Sequence, residues 1–428
     1  MENNGQATGD ERWRSLNDEL IDELKRNGHV NDPRIEMAFR STPRHLFLPG
    51  LPLEQVYKDA AIPTKQAGDR PISSSSQPAM MAMMLEQLDL QPGDNVLEIG
   101  AGTGYNAALM ANVIGEAGLV TTLDIDDDLV EQTKKNLAAA GVEHVQAVRA
   151  DGGFGYPSAA PYDRIILTTG TSDIAPAWIE QLKPGGILVA PLSLVENGVA
   201  KSIAFRKTTD CLESISSKDC AFIMIRGHYA APVSAPLALG PEPGLNLYVK
   251  PATAGALDPH SVYNLLAAPY TDTATGVQVT AGDLSTTFAT WLSLQASEDL
   301  CAIGTIVAAG EAVDRQPVPF LFGVPGRFRS SFGLIDNQEM ALLAQPTNQA
   351  APSIPGSDPS FELYVRTFGG RVRLSGRLRQ LVADWDSAGR PPDSDRLKVR
   401  AYPKDSTYAA RSYELVVEKA NSRLVIEW

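Results

Sequence analysis

The sequence predicts an α/β protein with a parallel, doubly wound sheet, followed by a C-terminal α+β extension. Three observations predict it. Short apolar strands alternate with helical stretches from about residue 77 to 193, a glycine-rich turn joins the first of those strands to a helix, and the alternation fades past residue 200. At 428 residues the chain exceeds one ordinary domain. With 43% apolar and 21% charged residues it suits a globular protein with a large core.

The elements follow in order. Residues 1–30 form an N-terminal helical segment, with Trp13, Leu16, Leu20, Ile21 and Leu24 at helical spacing and a stop at Gly28. A second helix starts at Asp32-Pro33, where Pro suits the first helical position. After "STPRHLFLPG" comes an irregular stretch, then "SSSSQPAMMAMMLEQL" (73–88), which enters a helix at Pro78. Its methionines at 80, 81, 83 and 84 read as adaptable core packing. "NVLEIG" (95–100), "LVTTLDI" (119–125), "VQAVRAD" (145–151), "YDRIILTTG" (162–170) and "GILVAPLS" (186–193) read as strands, separated by helices. "SIAFRK" and "CAFIMIRG" (220–227) read as strands added to the same sheet.

This gives one domain over 31–230 and a Pro, Ala and Gly-rich linker over 231–244. A C-terminal α+β domain occupies 245–428, with "RLKVRAYP" as a strand, "YELVVEKANSRLVIEW" as a hairpin, and Trp385 and Trp428 as core anchors.

A net charge of −14 is a poor footprint for nucleic acid or an anionic membrane, so neither is expected as a partner. Cys211, Cys220 and Cys301 lack C-x-x-C spacing, which argues against a disulfide framework or structural zinc, and no metal site is expected. No cationic-then-apolar leader and no run of 18 apolar residues occur, so the expectation is a cytoplasmic protein. Oligomeric state is not set by these features.

In "VLEIGAGTGYN", Gly100, Gly102 and Gly104 remove side chains where the backbone must turn and a ligand must approach closely. Asp124 ends the next strand, where a carboxylate can accept both hydroxyls of a ribose. Asp151, with Gly152 beside it in "RADGG", ends the following strand within reach of an adenine amine. A dinucleotide site would want G-x-G-x-x-G against a pyrophosphate, but residue 105 is Tyr and Glu98 is an unwelcome charge there. Glu98 fits a cationic ligand. Together these residues form the pattern of S-adenosyl-L-methionine enzymes, which makes the fold class a Rossmann-like S-adenosylmethionine-dependent methyltransferase. Thr168 ends a strand beside the same cleft.

The run "TPRHLFL…YKDAAIP…SSQPAMMAMMLEQL…VLEIGAGTGYNAALMA…VTTLDID…RADGG…PYDRIILTTG…QLKPGGILVAPL" resembles protein-L-isoaspartate O-methyltransferases over roughly residues 31–228. The resemblance implies an active-site serine just before the Gln-Pro step, here Ser76, with Ser74 standing for the family's Thr two residues earlier. Ser75 replaces the family's Ile and makes the substrate side, which includes Gln77 and Thr168, more polar. The serine tract, "CAFIMIRG" and the long extension look more like relatives from biosynthetic clusters for ribosomally made, modified peptides. Those relatives methylate an aspartate in a cyclised precursor such as a graspetide, lanthipeptide or lasso peptide, and the ester collapses to an aspartimide. Two alternatives stand beside this one: repair of isoaspartyl proteins, and a non-catalytic peptide-binding module. In each the partner is a peptide or protein.

The implied step is in-line methyl transfer to a carboxylate, which is ionised at neutral pH because its reference pKa is about 3.9. No general base is needed, and the histidines at 29, 45, 144, 228 and 260 show no partnering pattern. Position is what matters, with the attacking oxygen about 3 Å from the methyl carbon. One serine of the tract is expected to cap the helix at Pro78, and the others to line the substrate side.

Overall fold

The structure, a computed structural model, describes residues 9–68, 70–196, 198–231, 235–240, 244–306, 318–323, 328–345, 359–391 and 396–428. The N-terminal residues 1–8 and part of the expected 231–244 linker lie outside that set. The chain divides into two compact units: Met1–Leu192 with Ala200–Ala230 and Lys398–Glu427, and Ser193–Val199 with Ala231–Leu397 and Trp428.

The first unit opens with helices α1 (Gly9–Arg26), α2 (Pro33–Ser41) and the short α3 (Leu53–Val56). Asp32 caps α2 by accepting from the Arg34 amide, with Pro33 at the first helical position. A hairpin follows, β1 (Ile62–Ala67) against β2 (Arg70–Ser75), antiparallel and separate from the main sheet. Then come α4 (Pro78–Leu88), β3 (Asn95–Ile99), α5 (Tyr105–Ile114), β4 (Leu119–Asp124), α6 (Asp127–Ala139), β5 (Val145–Arg149), β6 (Tyr162–Leu167), α7 (Pro176–Gln181), β7 (Leu182–Ser193), β8 (Ala200–Lys207) and β9 (Leu212–Asp219).

Five strands pair in parallel in the order β7-β6-β3-β4-β5. The chain leaves β3 for β4 and β5 on one side, then returns to β6 and β7 on the other. Ligand clefts form where the order reverses, beyond the carboxyl ends of the strands. The helix faces that cover the sheet bury Ile21, Phe39, Met84, Leu85, Leu109 and Met110 against Val96, Ile166 and Val189.

Two expectations change here. The sequence boundaries place everything past residue 245 in the extension, yet Lys398–Pro403, Leu415–Glu418 and Ser422–Glu427 continue the first unit's sheet beyond β9. An open edge on β9 would present unpaired amides and carbonyls, and the returning chain pairs Arg400 with Glu213 and Ala401 with Leu212. Asp173 fastens the new strands, accepting from the Asn421 amide at 2.7 Å and from Ser422 Oγ at 2.5 Å. Second, residues 220–227 form no sheet strand. They carry one isolated bridge, between Met224 and Gly170.

The second unit has its own antiparallel sheet of eight strands. Strand Met340–Ala344 alternates faces. Ala341 and Leu343 join a core with Phe288, Leu378 and Trp385, whereas Met340 and Leu342 join Leu247, Val262 and Phe368 on the other face. Trp385 is the expected anchor, but Trp428 is 36% exposed and edge-on to Trp291. Among the described residues, no helix is long and apolar enough to cross a membrane.

Candidate active site

A cleft of about 520 Å³ opens at the reversal of strand order. Its floor is the turn from β3 to α5. Gly100 has φ 109°, and a side chain there would meet Thr168 Oγ1 at 2.5 Å. Gly104 has φ 86° and caps α5, where a Cβ would lie 2.9 Å from Thr133 Cγ2. Both positions demand glycine. Thr168 Oγ1 donates to the Gly100 carbonyl at 2.6 Å and holds the turn against the end of β6.

Asp124 ends β4 at the cleft wall. It accepts from the Gly102 amide at 3.1 Å and the Asp126 amide at 3.2 Å, and burial pushes its carboxyl above the usual range. Glu98 sits behind the turn, fully buried. Asn106 Nδ2 donates to one of its oxygens at 2.7 Å and Thr122 Oγ1 to the other at 2.6 Å. Burial lifts its carboxyl to about 7.

The serine tract forms the opposite wall. A side chain on Gly102 would lie 3.5 Å from the Ser74 carbonyl, so the tract packs directly on the glycine turn. Ser73 and Ser75 are buried, whereas Ser74 and Ser76 are half-buried, the alternation of a strand. Ser73 Oγ accepts from Thr64 Oγ1 at 3.1 Å across the hairpin, and Ser75 Oγ accepts from Arg44 Nη2 at 3.3 Å. No serine caps α4. Gln77 is the cap residue without a side-chain bond, and Asp59 does the work from afar. Its carboxylate accepts from the Ala79 amide and from Gln77 Nε2, each at 2.8 Å.

Residues 221–226 close the third side, and among the described residues the charged ones lining the cleft are Asp124 and Arg226. Arg226 is held in an ion pair, donating to both oxygens of Asp126 at 3.1 and 2.8 Å. Lys65 on β1 reaches the same carboxylate at 2.8 Å.

The structure thus brings Ser74, Ser75, Ser76, Gln77, Gly100, Gly102, Asp124, Gly152 and Thr168 onto one wall system. Glu98, Gly104 and Asp151 stand outside it. Gly104 packs on α6, and Asp151 accepts from the Gly153 amide at 3.0 Å and the His228 amide at 2.7 Å. Met80 and Met81, read as core, also reach the cleft. Sequence reasoning passed over Arg44, Asp59, the β1–β2 hairpin and Asn106, whereas Thr169, beside Thr168 at the end of its strand, lines the cleft as that position suggests. The signal for Arg44 was a lone cation among apolar residues in "TPRHLFLPG".

The residues fit a nucleoside donor with a cationic end. Asp124 lines the cleft at the end of β4, and, among the described residues, Asn106 Oδ1 and Thr169 Oγ1 are buried, unpartnered acceptors on residues of the cleft wall. A doubly wound sheet with this turn, acid and hydroxyl wall defines a Rossmann-like methyltransferase. Residues 14–229 match the family Protein-L-isoaspartate(D-aspartate) O-methyltransferase (PCMT). The chain belongs to that family and is a carboxyl O-methyltransferase.

The Protein-L-isoaspartate O-methyltransferase of Hyperthermus butylicus is 37% identical over 232 residues, covering 52% of this chain and 93% of the relative. That of Pyrococcus horikoshii is 40% identical over 182 residues, covering 42% of this chain and 78% of the relative. A solved protein-L-isoaspartate O-methyltransferase chain matches with a TM-score of 0.48 and 23% identity, over 90% of this chain and 96% of that one.

Proposed function

We propose that this chain methylates an aspartate-derived carboxylate in a peptide or protein, with an isoaspartyl residue as the primary substrate. The observation that carries the reading is the tract Ser74–Ser76 packed on the glycine turn within one cleft. S-adenosyl-L-methionine, when bound, supplies an electrophilic methyl group on a sulfonium. Asp124 accepts the ribose hydroxyls, and Gly100 and Gly102 let the backbone approach the donor. Ser76 and Ser74 donate hydrogen bonds to one oxygen of the substrate carboxylate and leave the other free to attack in line. Neutral hydroxyls orient the anion without the full charge of a contacting Lys or Arg, which would blunt its nucleophilicity. The nucleophile arrives ionised, so no side chain has to take a proton. The cysteines at 211, 220 and 301 are free, in keeping with work in a reducing cytoplasm.

A second reading is favoured by the second unit, which has two apolar cores of its own. The Hyperthermus relative is nearly covered by about half of this chain, so the additional unit is available for a dedicated substrate. That substrate would be a cyclised, ribosomally made precursor peptide whose methyl ester closes to an aspartimide.

Mass spectrometry after incubation with S-adenosyl-L-methionine separates the readings. A linear isoaspartyl peptide should gain one methyl group. If only a cyclised aspartyl peptide is modified, and then loses methanol to the imide, the second reading replaces the first. If neither peptide is modified, both fall.

A further inference from the structure

Arg44, in the 3-10 turn Arg44–Phe47, is fully buried. Among the described residues no carboxylate pairs with it. Its Nη1 donates to the carbonyls of Val56 at 2.9 Å and Lys58 at 3.2 Å. Its Nη2 donates to the Ala60 carbonyl at 3.4 Å, to Ser75 Oγ at 3.3 Å and to the Ser76 carbonyl at 3.0 Å. Nε has no partner, and the guanidinium carbon lies 5.7 Å from the centre of the Tyr105 ring. Asp59 acts on it only through space, and both its oxygens are committed to Gln77 and Ala79.

Five carbonyl and hydroxyl acceptors orient the guanidinium but supply no negative charge. A buried cation without a counter-ion is costly, and an arginine stays protonated. The serines it holds are themselves the wall of the cleft. Asp59 offsets that charge only from a distance, and an anion docked on the far side of Ser75–Ser76 would add to the counter-charge. In a low-dielectric wall a charge at one remove is felt strongly without contact.

We propose that Arg44 is a positioning residue that makes the cleft selective for a carboxylate, by placing a buried positive charge behind Ser76 for the substrate anion to neutralise. This rests on the reading of Ser74 and Ser76 as the carboxylate's donors. It separates two tasks: hydroxyls touch the reacting group, and the cation selects its charge from behind.

The test is a ratio of affinities. Two peptides that differ only in carrying the isoaspartyl carboxylate or its carboxamide are titrated into the full chain with S-adenosyl-L-homocysteine present. The native protein should prefer the carboxylate by about thirtyfold or more, Arg44→Lys should keep at least about tenfold, and Arg44→Met should fall to within about threefold. The peptide KM of Arg44→Met should rise about ten- to hundredfold, with kcat and donor affinity nearly unchanged. A residue that merely staples the loop would weaken both peptides alike. A preference in the native protein that survives in Arg44→Met therefore overturns the proposal and leaves the serine reading standing. No preference in the native protein removes both. Should Arg44→Met fail to fold, Arg44→Gln, which keeps donors without the charge, decides by the same ratio.

Discussion

Replacing Glu98 by Gln tests the electrostatics behind the glycine turn. Burial, and secondarily the charge of Asp124, raise the Glu98 carboxyl from 4.5 to about 7, against the pull of its bonds from Thr122 and Asn106. The folded protein therefore holds this proton more tightly than the unfolded chain. Below about pH 4.5 both states are protonated and the group costs nothing. As pH rises from there to about 7, the unfolded chain releases its proton while the folded one retains it. Stability then falls by about 1.4 kcal/mol per pH unit, to about 3 kcal/mol in all, and stays level above that.

Glu98→Gln removes the titration and keeps the shape. Its carbonyl can accept from Asn106 Nδ2, and its amide can donate to Thr122 Oγ1, which as a hydroxyl also accepts. Urea unfolding of both proteins between pH 5 and 8.5 should show the variant gaining about 2–3 kcal/mol on the native protein as pH rises, with the gain complete near pH 7. Stability curves that stay parallel across this window would refute the argument that burial sets the Glu98 charge.

Three further outcomes are expected. Gly104→Ala forces a left-handed φ of 86° and a Cβ 2.9 Å from Thr133 Cγ2, and should cost about 1–3 kcal/mol in thermal unfolding. Asp173→Ala strands Ser422 Oγ and the Asn421 amide, and should cost about 2–4 kcal/mol, with faster hydrogen exchange along Ser422–Glu427. Asp124→Asn should weaken donor binding about ten- to hundredfold by calorimetry, because a neutral amide accepts less strongly from a ribose hydroxyl.

The parallel half of the first unit was legible because each strand, turn and helix is written in a local window. "VLEIGAGTGYN" carries an apolar strand, the glycines of the turn and the helix start within eleven residues. The β1–β2 hairpin was not legible. Prolines at 63 and 71 and the serine tract break the apolar alternation that marks strands, and the hairpin is held by Thr64–Ser73, Lys65–Asp126 and Arg44–Ser75 contacts instead. The closing strands were misplaced because Ala401 pairs with Leu212 across most of the second unit's sequence, and no local pattern records such a partner. Residues 220–227 misled in the opposite way. Their apolar run reads as a strand, but they are apolar because they cover the cleft.

The four serines raise the sharpest test, because a strand presents alternate residues to opposite faces. All four reach the cleft wall, but Ser73 and Ser75 are buried and spend their hydroxyls on Thr64 and Arg44, while Ser74 and Ser76 are half-buried. The two pairs should then fail in different ways. Ser74→Ala and Ser76→Ala should each lower kcat/KM for the peptide about ten- to hundredfold, the worth of one hydrogen bond to a charged group, and leave thermal stability within about 0.5 kcal/mol. Ser75→Ala should lower stability by about 1 kcal/mol, because a buried arginine loses an acceptor, and change kcat less than about threefold. Steady-state kinetics and thermal unfolding on the same preparations read both quantities. If Ser75→Ala disables turnover as strongly as Ser76→Ala, the pleat does not divide the tract, and all three hydroxyls serve the substrate directly.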